Sequence, residues 1–185
     1  MKKMKMLVFI TIMVIAAGVA APVWADPVVV GNSNWYEFQF FTPSDFATAC
    51  GGACTPSSGG NSQDAGNPAW TFTGPAVLTV VDAFIAIDQF SIYDNSTLIG
   101  TTSAPAGTNP GLSDPVLALL NSAYSYGIFN IAAGSNSITI QHIAGEPGAA
   151  YFRLDPVSAL PEPATMLLLG LGLVGLAGAR RKMQK

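Results

Sequence analysis

The sequence predicts an all-β fold, an antiparallel β-sandwich of jelly-roll type with one short helix, and three observations predict it. Apolar residues alternate with polar ones in short runs, as at Tyr36, Phe38 and Phe40 and again at Trp70 and Phe72; a period of two places one face of a strand against a core. Gly, Pro, Asn and Asp clusters separate these runs, with none of the regular βα alternation that a parallel sheet requires. A helix start stands out at a single place, Asp114-Pro115, ahead of the apolar run Val116 to Leu120.

From the amino terminus, Lys2, Lys3 and Lys5 precede an apolar run from Leu7 to Ala21 and a small-x-small site at Val23-Trp24-Ala25. This order of basic, apolar and small residues reads as a secretory signal peptide over residues 1–25, with a retained membrane anchor as the alternative. Cleavage after Ala25 leaves Asp26 as the new amino terminus and residues 26–160 as the passenger. That length supports one hydrophobic core and is too short for two.

Within the passenger, further strands are expected at Val77 to Val81, Phe90 to Tyr93, Leu98 to Thr101, Ile138 to Ile143 and Tyr151 to Leu154. Asp94-Asn95-Ser96-Thr97 lies between two of them as a hairpin turn. The expected core is their apolar members: Tyr36, Phe38, Trp70, Phe72, Phe90, Ile92, Ile138, Ile140, Phe152 and Leu154. Asp114 is a good N-cap and Pro115 suits the first helical position, so a short helix is expected over Asp114 to Ser122. Cys50 and Cys54 sit in CGGAC within a Gly/Ser/Asn-rich stretch. In an exported chain, two cysteines so close together are read as a loop-tip disulfide. A structural zinc site wants four nitrogen or sulfur ligands, and these two cysteines with His142 are too few.

Charge separates the passenger from its ends. Seven of the eight Lys and Arg lie outside residues 26–160, leaving Arg153, while only Glu162 of the eleven acids does, so the passenger carries a formal net charge of −9. Such a field repels phosphate backbones and excludes nucleic acid as a partner. Cations and neutral polymers stay compatible with it.

The last segment, residues 161–185, divides into Pro161-Glu162-Pro163, an apolar run over 164–179 and a basic tail over 180–185 that holds Arg180, Arg181, Lys182 and Lys185. The prolines delay a helix until about Ala164. The run of sixteen residues is a little short of the ~20 that span a bilayer without strain, and the basic end holds that side in the cytoplasm. Gly170-Leu171-Gly172-Leu173-Val174-Gly175 matches the dinucleotide fingerprint in letters, but the chain ends before the acidic residue that the motif needs. Small residues on an apolar helix suit close helix contact instead.

On these residues the tail resembles the PEP-CTERM sorting signal of Gram-negative bacteria. The resemblance implies export, recognition by the membrane enzyme exosortase, a transient membrane hold through the C-terminal helix, and a surface or matrix destination that in this family often accompanies exopolysaccharide and biofilm. The pattern Asp82, then Asp88 to Asp94, then Gly100 to Ser103 also resembles jelly-roll passengers seen with this signal.

The function expected is therefore that of an exported, non-enzymatic surface or extracellular-matrix protein, with a small exported glycan-active hydrolase as the alternative. No G-x-S-x-G elbow is present, and no spacing selects a carboxylate pair from the ten passenger acids. His142, the single histidine, shares strand parity with Ile138 and Ile140 and reads as a core residue. Asp82, Asp88 and Asp94 recur at six-residue intervals near turns, which makes them the candidate ligands for Ca2+, a hard cation that takes oxygen ligands. They do not follow the EF-hand loop pattern.

Overall fold

Two long strands carry the architecture, and the alternating apolar residues explain both. The computed structural model describes residues 25–31, 34–107 and 110–157. The elements in chain order are β1 (Trp35–Phe40), β2 (Thr48–Ala49), β3 (Ser62–Asp64), β4 (Trp70–Asp82), β5 (Phe84–Ile85), β6 (Gln89–Asp94), β7 (Thr97–Thr101), β8 (Pro110–Leu112), α1 (Pro115–Leu119), β9 (Tyr126–Ala144) and β10 (Gly148–Pro156). The main sheet runs β2-β1-β10-β4-β9-β6-β7, with β3 on β1 and a separate β5-β8 pair. Every ladder is antiparallel except β1 with β3.

The all-β, antiparallel expectation with one short helix holds, and the layering is that of a single curled sheet, a half-barrel. The runs at Trp70 and Phe72 and at Val77 to Val81 belong to one strand, β4, which shifts register between Gly74 and Ala76. Pro75 between them has no N–H for the ladder, which favours a bulge at that place. A side chain on Gly74 would strike the Ala132 carbonyl. β9 changes partner along its length: from Tyr126 to Ile138 it lies on β4, and from Ile138 to Ala144 on β6. A strand that serves two partners in succession bends the sheet around its own face.

That bend is visible in the core. β1 and β6 are separated in the ladder by β10, β4 and β9, yet the Phe38 and Phe90 rings lie 5.6 Å apart and the Phe40 and Phe90 rings 5.0 Å apart. All ten residues expected in the core are buried in this one cluster. The segment after β1 closes the curl through the backbone: Ala47 N–H donates to Ile140 O at 2.8 Å, and His142 N–H to Asp45 O at 2.9 Å. A smaller cluster on the opposite face gathers Trp35, Val81, Ala118, Tyr124 and Tyr151 beneath α1 and the β5-β8 pair.

Local signals hold where turn and cap chemistry is explicit. Asp114 caps α1, its carboxylate accepting from Val116 N–H at 2.9 Å. In the β6-β7 hairpin Asn95 and Ser96 have φ of 47° and 65°, the left-handed pair that a type I′ turn needs.

The ring packing yields a stability prediction. Phe38 is 0% exposed and touches the rings of Phe40, Trp70, Phe90 and Phe152. Phe38→Ala is expected to lower unfolding free energy by about 3 to 5 kcal/mol, measured by urea denaturation with an unchanged slope. Leu98→Ala, at a site 53% exposed, is the control and stays within about 0.5 kcal/mol of wild type.

Candidate functional site

The most concentrated chemistry of the described residues lies where the curl closes. β4 ends at Asp82, a short connection through β5 brings the chain to Asp88 just before β6, and His142 stands near the end of β9 opposite Phe90. Asp82 turns back on this connection, its carboxylate accepting from Ala83 N–H at 2.7 Å and Asp88 N–H at 3.1 Å. Asp88 Oδ1 accepts from Glu146 N–H at 2.9 Å and faces His142 Nε2 at 3.1 Å. The other ring nitrogen, Nδ1, lies 3.0 Å from Phe41 O. A carbonyl only accepts, so Nδ1 is the donor there, and Nε2 is the ring nitrogen turned to the Asp88 carboxylate. Asp82 and His142 are 0% exposed and Asp88 4%.

Burial shapes the electrostatics of this cluster. Loss of water, and next the nearby Asp88 charge, push the Asp82 carboxyl up to about 8. Burial also raises Asp88, opposed by the Glu146 N–H and by His142. The arrangement ties the ends of β4 and β9 and the starts of β6 and β10 into one polar knot. Beside it opens a cleft of about 270 Å³ lined by Asp88, Glu146, Phe84, Ile87, Gln39 and Cys54.

The three aspartates expected to share calcium are not brought together, which corrects that expectation. Asp82 and Asp88 meet, but Asp94 lies at the far end of β6, where its Oδ1 accepts from Ser137 N–H at 3.1 Å. Equal spacing in sequence misleads here because β6 separates Asp88 from Asp94 by its whole length. Among the described residues, no group of three potential ligands includes any of them.

Cys50 and Cys54 form a disulfide, with Cα atoms 5.3 Å apart. Beneath this loop lies Glu37, which alternates with Tyr36 and Phe38 as a polar residue does on a solvent face and yet is 4% exposed. The sole signal for its burial is that Trp35 stands two residues before it on the same strand face.

Two predictions come from these contacts. Asp82 folded titrates near 8, against about 4 for an unfolded carboxyl. The folded state therefore holds a proton that the unfolded chain releases between those values. The stability this proton contributes is complete below about pH 4 and is lost progressively toward pH 8. The melting temperature is expected to fall between pH 5 and pH 8, and Asp82→Asn, which keeps a neutral side chain of the same shape, is expected to flatten that fall. Replacing Cys50 and Cys54 together by Ser opens a five-residue ring and is expected to remove roughly 2 kcal/mol by the chain-entropy relation, read from denaturation midpoints.

Residues 159–182 match the model of the PEP-CTERM protein-sorting motif. The match spans Pro161, Glu162, Pro163, the apolar run and Arg180, Arg181 and Lys182. This motif implies export, recognition by exosortase and transient membrane anchoring. The chain matches no curated protein and no solved structure. The sorting residues, the run over 164–179 and most of the signal peptide lie outside the described residues; among the described residues no helix is long and apolar enough to cross a membrane.

Proposed function

We propose that this chain, which carries a PEP-CTERM sorting motif over residues 159–182, is an exported, non-enzymatic surface or matrix protein whose β passenger, a jelly-roll relative in architecture, associates with exopolysaccharide in a biofilm. The sorting motif is the observation that carries this reading. Three features of the passenger support it. Its single histidine is sealed between Asp88 and Phe41 O, so the imidazole acts as a tie between strands. Its one cation, Arg153, is held by Asp155 at 2.9 Å and lies over the Trp35 ring at 4.7 Å. Its remaining charges are acidic, which suits a hydrated neutral or cation-bridged polymer over any polyanion bound directly.

The tests follow the chain outward. Intact mass spectrometry of exported protein is expected to show an amino terminus at Asp26 and loss of the segment beyond about Pro161 to Pro163. Full-length chain confined to the cytosol would overturn the reading. Exported protein is also expected to co-sediment with the polysaccharide of the producing cell without cleaving it. Glycan turnover that disappears in Asp88→Asn with Glu146→Gln would replace the scaffold by a glycan-active hydrolase working in the cleft.

A further inference from the structure

A second acidic site lies on the other face of the sheet, and register builds it. Glu37, in the middle of β1, is paired with Asp64 of β3 on one side and Tyr151 of β10 on the other. The parallel pairing with β3 forces two carboxylates side by side. Glu37 and Asp64 line a common pocket of about 310 Å³ with Ser62, Gln63, Gly52 and Cys54.

The hydrogen bonds leave this pair incomplete. Asp64 Oδ1 accepts from Gly66 N–H at 2.9 Å and Cys50 N–H at 3.3 Å. The Tyr151 hydroxyl, 3.2 Å from Ser113 O, is also hydrogen-bonded to the Glu37 carboxyl. Glu37 Oε1, fully buried, has no hydrogen-bond partner. An unpartnered buried oxygen beside a second carboxylate is costly unless something positive completes it. Among the described residues there is no lysine, and the single arginine, Arg153, is already engaged by Asp155.

We propose that Glu37 and Asp64 bind a hard divalent cation, Ca2+, in the pocket beneath the Cys50–Cys54 loop. Two carboxylate oxygens are the ligand type such an ion takes. The sulfurs of Cys50 and Cys54, which lie within 4.8 Å of the Glu37 carboxylate, are joined in the disulfide. They wall the pocket without competing for a hard ion, because the thiolate is the ligating form of cysteine. The inference stands apart from the export reading, since it concerns the folded, disulfide-bonded passenger itself.

The test uses Tb3+ as a luminescent stand-in for Ca2+ on the purified full-length chain with its disulfide intact. Trp35 stands two residues from Glu37 on the same strand face and serves as the sensitiser. Saturable emission that Ca2+ displaces is expected in wild type, weakened at least tenfold in both Glu37→Gln and Asp64→Asn and retained in Asp94→Asn. Asp64 is exposed, so its variant decides the matter if Glu37→Gln does not fold. Absence of saturable emission from folded wild type, or titrations unchanged in Asp64→Asn, would overturn the site.

Discussion

The structure depends on one sheet closing over its own apolar face. β9 makes this possible by leaving β4 at Ile138 and continuing on β6. The bend brings strands four places apart in the ladder into ring contact, with Phe38 and Phe40 on one lip and Phe90 on the other. Aromatic side chains suit this task because each buries a large rigid area and the rings meet edge to face. The hydrogen bonds from the 44–47 segment to Ile140 and His142 then close the same seam through the backbone. Core and closure are thus a single event: without the rings the sheet has no reason to curl, and without the curl half of each strand faces water.

The polar knot at Asp82, Asp88 and His142 sits where that seam ends. Burying three titratable groups is unfavourable in itself, and replacing such groups by apolar ones is often neutral or stabilising. Their use here is positional. Asp82 spans the β4-to-β6 connection by accepting from Ala83 and Asp88, and Asp88 reaches across to Glu146 at the turn into β10. Gly145 completes the geometry, because any side chain there would strike the Asp88 carboxylate. Apolar residues at Asp82 and Asp88 would fill the space and leave these backbone N–H groups without acceptors.

Much of the fold was legible in the sequence because its signals are local. Alternation at Tyr36, Phe38 and Phe40 names the inward face directly, and the Asp114 cap and the Asn95-Ser96 turn depend on chemistry within a few residues. The first half of β9 was not legible: Gly127, Ala132, Ala133, Gly134 and the run Ser135 to Ser137 carry no apolar period, and pairing of this stretch with β4 on either side of the register shift keeps it in the sheet. Strand merging was hidden at Pro75, which reads as a break and acts as a bulge. The site residues fared according to reach. The disulfide is a contact over four positions and could be read. Asp82 and Asp88 were found, but grouping them with Asp94 treated spacing as proximity. Glu37 has only Trp35, two residues earlier on the same face, to signal it, because its burial requires β3 to arrive in parallel from a loop of Gly, Ser and Asn that carries no strand signal.

Charge distribution connects the passenger to its destination. With nearly all cations in the terminal segments, the passenger has almost no internal counter-ions for its acids. Register and seam nonetheless bury three of those acids, Glu37, Asp82 and Asp88. At the seam Asp88 has the His142 ring facing it at 3.1 Å. At Glu37 and Asp64 no such partner exists among the described residues, and the deficit must be met by a proton or by an ion from outside. A passenger so composed becomes sensitive to the acidity and divalent content of its surroundings, and that dependence follows from the removal of lysine and arginine to the ends of the chain.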